Sequence, residues 1–284
     1  MMTSSIAQST LKIKAFVESY FSPLSLTMKA IIDPIDAPLL FDTITIELHK
    51  PSDLSLVFSK KKVFDIFGNA SITLPEYLMY KYYYIVLRHR NSIEIWSQKP
   101  ILIQNSANFD FTTSVTQAFG NNLKWVANAA CMYSGDINQD GHINMLDFNL
   151  WDYDNANFVY GYYLSTDLNG DGFVDLSDFP FWDSNFYLGV SVIHPTLITE
   201  VVSEEIIYDI YPNPANQFLQ IRLSNITVGA TIEMFELKGA LVSLIPINSD
   251  ITKYIDVSKY ASGVYLLKLN NNGQVINKKI LIEH

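Results

Sequence analysis

The sequence has few basic residues, and none lies between Lys124 and Arg222. The whole chain carries 19 Lys and Arg against 29 Asp and Glu, which gives a formal net charge of −10. Nucleic-acid-binding surfaces need clustered Lys and Arg, so this class of partner is excluded. No apolar run approaches the roughly 20 residues that span a bilayer, so no transmembrane segment is predicted.

The chain also lacks the motifs of common enzymes. Its five histidines are scattered, without the spacing that places two zinc ligands on one helix face. It has no G-x-S-x-G nucleophile turn and no phosphate-binding glycine loop. Cys131 is the only cysteine, so no intramolecular disulfide bond can form, and its thiol is predicted to be buried and unreactive. These absences predict a protein that is not an enzyme.

Within the segment that has no basic residue, positions 136 to 183 hold ten aspartates. They are Asp136, Asp140, Asp147, Asp152, Asp154, Asp167, Asp171, Asp175, Asp178 and Asp183. Like charges placed this closely repel each other unless a cation neutralises them. The Trp, Phe and Tyr residues between the aspartates argue against a disordered acidic tail, because such tails are poor in aromatics.

The aspartates belong to two copies of one unit, offset by 31 residues: DINQDGHINMLDFNLWD and DLNGDGFVDLSDFPFWD. Each copy reads D-x-N-x-D-G-x-x-[ND]-x-x-D. This pattern places oxygen ligands at loop positions 1, 3, 5, 9 and 12 and a backbone carbonyl at position 7, around a sharp turn at the glycine in position 6. Hard oxygen ligands in this number suit Ca²⁺ rather than zinc or copper. The sequence therefore predicts two Ca²⁺ ions.

The predicted ligands follow from these positions. In loop 1 they are Asp136, Asn138, Asp140, the carbonyl of His142, Asn144 and Asp147; in loop 2 they are Asp167, Asn169, Asp171, the carbonyl of Phe173, Asp175 and Asp178. Gly141 and Gly172 are predicted to make the two turns. Ile143 and Val174, at position 8, are predicted to pair the two loops through a short strand. The alternative is a surface loop rich in Asx turns that binds no ion.

Each loop ends in Asp rather than Glu and is followed by Phe and Trp at helical spacing, with no convincing amphipathic helix before it. This arrangement, over about residues 134–187, resembles the type I dockerin module. The resemblance implies a calcium-dependent folding unit that in several members docks onto cohesin domains, largely through Ser or Thr at positions 10 and 11. Here these positions hold Met145-Leu146 and Leu176-Ser177, which depart from that pattern. The aromatic residues after the loops are predicted to pack against each other or the neighbouring domain rather than to bind a partner: Phe148, Trp151, Phe179 and Trp182.

About seven short strands of alternating polarity follow, and they predict a small C-terminal β-sandwich with one hairpin turn at Asn272-Gly273. Four motifs in this order resemble the type A C-terminal sorting domain of type IX secretion cargo: YPNP (Tyr211–Pro214), LKG (Leu237–Gly239), ASGVYLLKL (Ala261–Leu269) and KKILI (Lys278–Ile282). The resemblance implies export through the periplasm across the outer membrane, contact with the type IX secretion machinery and its sortase, and a secreted or cell-surface location. An ordinary β-sandwich is the alternative.

The N-terminal part carries seven strand-like runs with turns at Asn69 and Asn91, which predict a sandwich of immunoglobulin or transthyretin type. The basic stretch RHRN is predicted to be a strand end and turn, with an anionic sugar or peptide site as the alternative. The first residues, MMTSSIAQST, lack the basic and apolar parts of a signal peptide. Since type IX cargo needs one, we expect either a misassigned start or the C-terminal part of a longer polypeptide.

The sequence therefore predicts a mainly β protein with a small α-helical calcium module. The predicted domains are a β-sandwich at residues 1–125, a dockerin-like tandem calcium module at 126–190, a linker at 191–206 and a sorting domain at 207–284. The favoured function is that of a non-enzymatic, calcium-stabilised protein directed to the cell surface, or the C-terminal part of one. The alternatives are a carbohydrate- or protein-binding adhesion module, with a surface polysaccharide or protein as ligand, and the non-catalytic tail of an exported hydrolase.

Overall fold

The chain forms two compact units, Met1–Glu200 and Val201–His284. The structure, a computed structural model, describes residues 9–31, 35–196, 208–223, 226, 229–247, 252–271 and 274–284. Both units are built mainly from β-strands, which confirms the predicted fold class. In the described ranges, no helix has the length and apolar character needed to cross a bilayer.

The described part of the first unit contains twelve strands and two helices. The strands are β1 (Ser9–Lys14), β2 (Phe21–Ser22), β3 (Thr27–Met28), β4 (Leu40–His49), β5 (Leu56–Asp65), β6 (Asn69–Leu74), β7 (Tyr82–His89), β8 (Ser92–Trp96), β9 (Ile101–Leu102), β10 (Ser106–Asp110), β11 (Lys124–Val126) and β12 (Ala129–Cys131). The helices are α1 (Met145–Ala156) and α2 (Phe179–Phe186). Each helix follows one of the two loops, as the repeat predicts.

Two sheets provide the core of the first unit. One has the order β5-β4-β7-β8, with β9 also paired to β7; the other has the order β10-β1-β6, in which β1 is parallel to β10 and antiparallel to β6. Alternate side chains point inward, so Leu11, Phe41 and Leu87 have no exposed surface and share one core. Cys131 lies in the same core, and burial raises the pKa of its thiol. Its predicted burial is confirmed.

The RHRN segment ends β7 and forms the turn into β8, as predicted. Its charges are satisfied inside the unit. His89 is almost fully buried, with Nε2 3.0 Å from Asp42 Oδ2, and Arg90 makes an ion pair with the same carboxylate. The Arg90 guanidinium also lies 5.7 Å from the ring of Tyr20 and 5.8 Å from that of Tyr163. This arrangement gives the basic cluster a structural role; a sugar or peptide site there stays untested.

Buried hydrogen bonds join the two-helix segment to the strands across the boundary predicted at residue 125. Asn185 of α2 has no exposed surface, and its side-chain amide donates to Glu18 Oε2 and to the Ser134 carbonyl, each at 2.7 Å. The Tyr20 hydroxyl donates to the carbonyl of Asp167, the first residue of loop 2, at 3.2 Å. The strands and the repeat segment are therefore connected by buried hydrogen bonds within one compact unit.

The second unit contains seven described strands: β13 (Tyr208–Tyr211), β14 (Phe218–Leu223), β15 (Ala230–Glu236), β16 (Leu241–Ile247), β17 (Thr252–Asp256), β18 (Gly263–Asn271) and β19 (Gln274–Ile282). They form two antiparallel sheets, with orders β13-β14-β17 and β16-β15-β18-β19. Leu219 from one sheet and Ile232 and Leu267 from the other have no exposed surface and share one core. The number of strands and the two-sheet core agree with the predicted small sandwich.

Two of the recognised motifs meet in the second unit. Asn213, in the YPNP turn, accepts a hydrogen bond from the Leu281 backbone N–H at 2.8 Å and donates its side-chain amide to the Lys279 carbonyl at 3.3 Å. The Ala215 N–H then donates to the Leu281 carbonyl at 2.8 Å. The turn is thus fastened to the terminal KKILI strand. The hairpin turn predicted at Asn272-Gly273 lies outside the described residues, as does most of the predicted linker.

Replacing Asn185 with Ala should lower the free energy of unfolding of the first unit by about 3 kcal/mol, because it removes two buried hydrogen bonds, one to the Glu18 carboxylate and one to the Ser134 carbonyl. Urea unfolding of the full chain measures this change. Asn157→Ala is the matched control, since Asn157 is exposed and its substitution should change stability by less than about 0.5 kcal/mol. Equal effects of the two substitutions would contradict the importance of this network.

Candidate metal centre

The two loops adopt the same turn at the same position of the repeat. Gly141 has φ +85° and Gly172 has φ +89°, in the left-handed region that favours glycine. The backbone N–H of Gly141 donates to Asp136 Oδ2 at 3.2 Å, and that of Gly172 donates to Asp167 Oδ2 at 2.9 Å. The carboxylate at position 1 therefore accepts a hydrogen bond from the turn glycine in each loop.

Side chains at positions 3 and 5 fold back onto the loop backbone. In loop 1, the Asp140 N–H donates to Asn138 Oδ1 at 2.9 Å, and the His142 N–H donates to Asp140 Oδ1 at 3.0 Å. The equivalent distances in loop 2 are 2.8 Å and 3.0 Å. These bonds tie the side chains at positions 3 and 5 of both loops to the backbone of their own loop.

The carboxylate at position 12 closes each loop. Asp147 has no exposed surface and accepts backbone bonds from Asn138 at 3.0 Å and from Asn144 at 2.9 Å. Asp178, also fully buried, accepts the equivalent bonds at 2.9 Å and 3.0 Å. Asn144 also caps α1 by accepting from the Leu146 N–H, so the end of loop 1 is the start of the helix. The structure therefore gathers position 12 with positions 3 and 9.

Burial makes these carboxylates electrostatically unfavourable on their own. Burial, with the charges of Asp147 and Asp140, raises the pKa of Asp136 from 3.8 to about 7. In loop 2, burial, with the nearby aspartates, raises the pKa of Asp178 to about 6. Burial also raises the pKa of Asp147 and of Asp167. A bound cation would reverse these shifts, because it favours the ionised carboxylates.

One oxygen of loop 1 has no hydrogen-bond partner. Asp136 Oδ1 is buried and accepts no hydrogen bond, although buried polar atoms are nearly always paired. Within the described ranges, no three side chains of His, Cys, Asp or Glu gather closely enough to hold a metal. The predicted ligand set also draws on amide and backbone oxygens. The unpaired oxygen and the mutually repelling carboxylates fit a hard divalent cation, and Ca²⁺ is the ion that accepts this many oxygen ligands.

The two loops do not pair with each other, so the prediction for Ile143 and Val174 is wrong. The Ile143 N–H donates to the Val190 carbonyl at 3.0 Å, just after α2, and the Val174 N–H donates to the Val159 carbonyl at 3.0 Å, just after α1. Each helix returns the chain to the edge of the other loop. The residues that follow each helix therefore take up the backbone hydrogen bonds at position 8, which a strand between the two loops would have used.

The four aromatic residues after the loops form one cluster, as predicted. The ring centroids of Phe148 and Trp182 are 5.1 Å apart, and those of Trp151 and Phe179 are 5.2 Å apart. The Trp182 indole N–H also donates to the Asn144 carbonyl at 3.1 Å, which ties α2 to loop 1. These side chains are therefore the small core between the helices.

Sequence reasoning missed the residues that attach the loops to the rest of the unit. Ser191 and Val192 lie at the start of the predicted linker, yet they form a bridge and a hydrogen bond with loop 1. The apolar–polar–apolar alternation of Val190, Ser191 and Val192 is a strand signal that could have indicated this. Asn185 carries no such signal, because a lone amide in a helix looks the same whether it is buried or exposed.

The two units differ in what known proteins reveal about them. Residues 209–283 match the family model of the secretion system C-terminal sorting domain. That domain is the one used in type IX secretion. The match indicates export to the cell surface or secretion, and it implies an interaction with the type IX secretion machinery. No curated protein matches the chain.

Two solved structures show limited similarity. Dimeric latent PorU from Porphyromonas gingivalis is 11% identical with a TM-score of 0.25, over 97% of this chain and 34% of that one. The CBM51-2 and INT domains of Clostridium perfringens ZmpB are 8% identical with a TM-score of 0.20, over 86% of this chain and 66% of that one. This chain thus spans about a third of the PorU chain. At these TM-scores neither similarity identifies a fold or a function.

The raised pKa of Asp136 predicts that the chelator-treated protein loses stability as the pH rises from about 4 to about 7. Over this range the folded protein keeps a proton that the unfolded chain has released, so each increase in pH removes a favourable difference. Urea unfolding at a series of pH values measures the slope. Asp136→Asn should make this slope less steep, because Asn does not titrate. If the metal-free protein instead became more stable between about pH 4 and about pH 7, and Asp136→Asn removed that gain, the raised pKa of Asp136 would be contradicted.

Proposed function

We propose that the chain is a non-enzymatic, secreted or cell-surface-directed protein, or the C-terminal part of one, whose two loops bind Ca²⁺ for stability. The observation that carries the proposal is the pair of equivalent loops, each with buried carboxylates of raised pKa. Loop 1 adds the unpaired Asp136 oxygen. A folded chain keeps such groups when a cation offsets their repulsion. The resemblance to the type I dockerin module supports the same role.

In the proposed complex, each loop would hold its ion through positions 1, 3, 5, 7, 9 and 12. Asp136 and Asp147 would supply buried negative charge in loop 1, while Asp140 would contribute from the exposed side. Bound calcium would supply the positive charge that makes burial of these oxygens favourable. Asp136 and Asp147 already accept backbone N–H bonds from their own loop, so their carboxylates are held on the loop before an ion binds.

Calcium in this position would stabilise more than the loops. Loop 2 begins at Asp167, whose carbonyl accepts from Tyr20 of the strand region, and Asn91 donates to the same Tyr20 hydroxyl at 2.8 Å. Gln139 of loop 1 donates to the Ser92 carbonyl at 3.3 Å. Ordering of the loops would therefore be transmitted to β7, β8 and the segment around Tyr20.

Calorimetric titration of the full chain should detect two Ca²⁺ ions, with loop 2 binding more tightly because it carries four Asp against three in loop 1. Asp140→Ala and Asp171→Ala should each remove one ion, since they delete the same position in the two repeats. At calcium concentrations about 100 times the dissociation constant, each ion should stabilise the folded protein by roughly 2.7 kcal/mol.

The two variants control for each other, because both side chains are exposed and neither substitution removes core packing. Asp152→Ala, outside the ligand set, should leave both ions and the thermal unfolding profile unchanged. An identical melting profile in calcium and in chelator, or one Ca²⁺ ion retained by the double variant, would overturn the calcium assignment.

The second unit is proposed to act as the export signal. Its YPNP turn is fastened to the terminal strand through Asn213 and Ala215, so the recognised motifs form one folded surface rather than separate peptides. A sortase acting on this unit would release the first unit or attach it at the cell surface. This step is what the resemblance to type IX cargo implies.

Truncation after about residue 205, or deletion of KKILI, should leave the protein in the periplasm, because either change removes the folded sorting domain. Cell fractionation and surface labelling in a strain with an active type IX system measure the distribution. The matched control is Lys259→Ala, in an exposed turn outside the four motifs, which should be exported normally. Surface labelling of the truncated protein at the level of the full chain would refute the export role.

One observation favours adhesion as a second candidate function. The side chains of Phe158, Tyr160, Tyr162 and Phe173 are between 60% and 84% exposed, and the rings of Tyr160 and Phe173 lie 6.5 Å apart. Exposed aromatic groups of this kind are common in binding surfaces. Glycan-array binding that is lost in Tyr160→Ala would support a carbohydrate-binding module, whereas capture of a surface protein would support a protein ligand. The third candidate is the non-catalytic tail of an exported hydrolase.

A further inference from the structure

The segment Val190–His194 is bound along its backbone to loop 1. The Ile143 N–H donates to the Val190 carbonyl at 3.0 Å, and the Val192 N–H donates to the Gly141 carbonyl at 2.8 Å. Ser191 lies opposite His142 in the antiparallel bridge between these two bonds. This segment comes directly before the chain that leads to the second unit. Loop 1 is thus in contact with the beginning of the predicted linker.

Side chains reinforce the backbone contact. The Nδ1 atom of His142 lies 2.9 Å from Ser191 Oγ, and the side-chain amide of Asn122 donates to the Ser191 carbonyl at 3.0 Å. Gly141 allows the close approach, since a Cβ atom added there would lie 2.9 Å from Val192 Cγ1. The contacts of Gly141, His142 and Ile143 with the segment require residues 141–143 to keep their present backbone conformation.

The opposite side of the segment covers a buried part of the strand region. Val192 packs on the cluster that contains Tyr84 and Trp96, and the His194 ring lies edge-on to Trp96 with centroids 5.5 Å apart. Trp96 is only 3% exposed. Release of the segment would therefore expose an aromatic side chain, which gives a spectroscopic signal of its position.

We infer that loop 1 acts as a calcium-dependent clasp, in which the bound ion holds Val190–His194 against loop 1 and the strand region of the first unit. The inference rests on the proposed calcium binding. Three predicted ligands, Asp140, the His142 carbonyl and Asn144, alternate along the chain with Gly141 and Ile143. Since the backbones of Gly141 and Ile143 make the hydrogen bonds to the segment, a bound ion would fix the backbone that holds it. Without the ion, repulsion among the loop 1 carboxylates opposes that conformation.

Loop 2 provides an internal comparison because it grips a different segment. Its position 8 residue, Val174, donates to Val159, and the Gly161 N–H donates to the Gly172 carbonyl at 2.9 Å. The helix between loop 2 and Val190 is held separately through Asn185. Loss of the loop 2 ion should therefore leave Val190–His194 largely in place.

Hydrogen exchange of the full chain, followed by mass spectrometry of a peptide over residues 189–196, tests the clasp. In Ca²⁺ the peptide should be protected, and chelation should speed its exchange by about tenfold, within the range expected for coupling between two sites. Asp140→Ala should reproduce the chelator effect in the presence of Ca²⁺, while Asp171→Ala should not. Trp fluorescence should shift to longer wavelength together with the exchange.

The coupling must also run in reverse, because linkage between two equilibria is reciprocal. Ser191→Ala and Asn122→Ala weaken the grip from the side of the segment, so each should lower the calcium affinity of loop 1 severalfold and leave loop 2 unchanged. Asn122 is buried, so its substitution can also lower the stability of the fold. Ser191→Ala removes only a hydroxyl group and therefore controls for that effect.

The two proposals fail in different ways. If calorimetry detects no Ca²⁺ in the unaltered chain, the proposed function itself is wrong. If two ions bind but the peptide over residues 189–196 exchanges at the same rate with and without calcium, only the clasp is wrong. Equal release by Asp140→Ala and Asp171→Ala would also overturn it, since the effect would then belong to the whole repeat segment rather than to loop 1.

Discussion

Burial of several carboxylates at two equivalent points is the constraint on which the repeat segment depends. The position 12 residues Asp147 and Asp178 have no exposed surface, and Asp136 is nearly buried. Each organises its loop by accepting backbone N–H bonds, yet their charges oppose one another in a medium of low polarity. The proposed Ca²⁺ ion would resolve this conflict, because it would keep the hydrogen-bonding oxygens ionised and offset their repulsion.

The repeat segment is too small to isolate such charges by itself, and the structure shows how the strands help. Asn185 connects α2 to Glu18 and Ser134, and Tyr20 connects the start of loop 2 to Asn91. These links connect the repeat segment to the strand region through buried side chains. The strand region therefore contributes to the electrostatic environment of the candidate sites as well as to their position.

In the second unit, folding brings together motifs that are far apart in the sequence. The YPNP turn and the terminal strand are far apart in the chain, but Asn213 and Ala215 bind the backbone of residues 279–283. Interdigitation of two sheets fixes this arrangement. The C-terminal residues are therefore part of a folded surface rather than a separate peptide.

The sequence by itself determined the local features. Short-range geometry is enough to predict the turn at Gly141, the hydrogen bonds between residues a few positions apart and the helix after each loop. The sequence contains this pattern twice, at an offset of 31 residues. Alternating polarity likewise determined the strands and the small second sandwich. The match of residues 209–283 to a sorting-domain model confirms the motif reading there.

Only the tertiary structure decided which distant groups meet. The partner of Ile143 is Val190 rather than the other loop, and the partner of Ser134 is Asn185. Such pairings depend on where each helix delivers the following chain, and a pattern of polar and apolar residues does not encode that path. For the same reason, the start of the predicted linker proved to be an attached segment: its hydrogen-bonding groups are generic, and packing alone selected loop 1 as their partner.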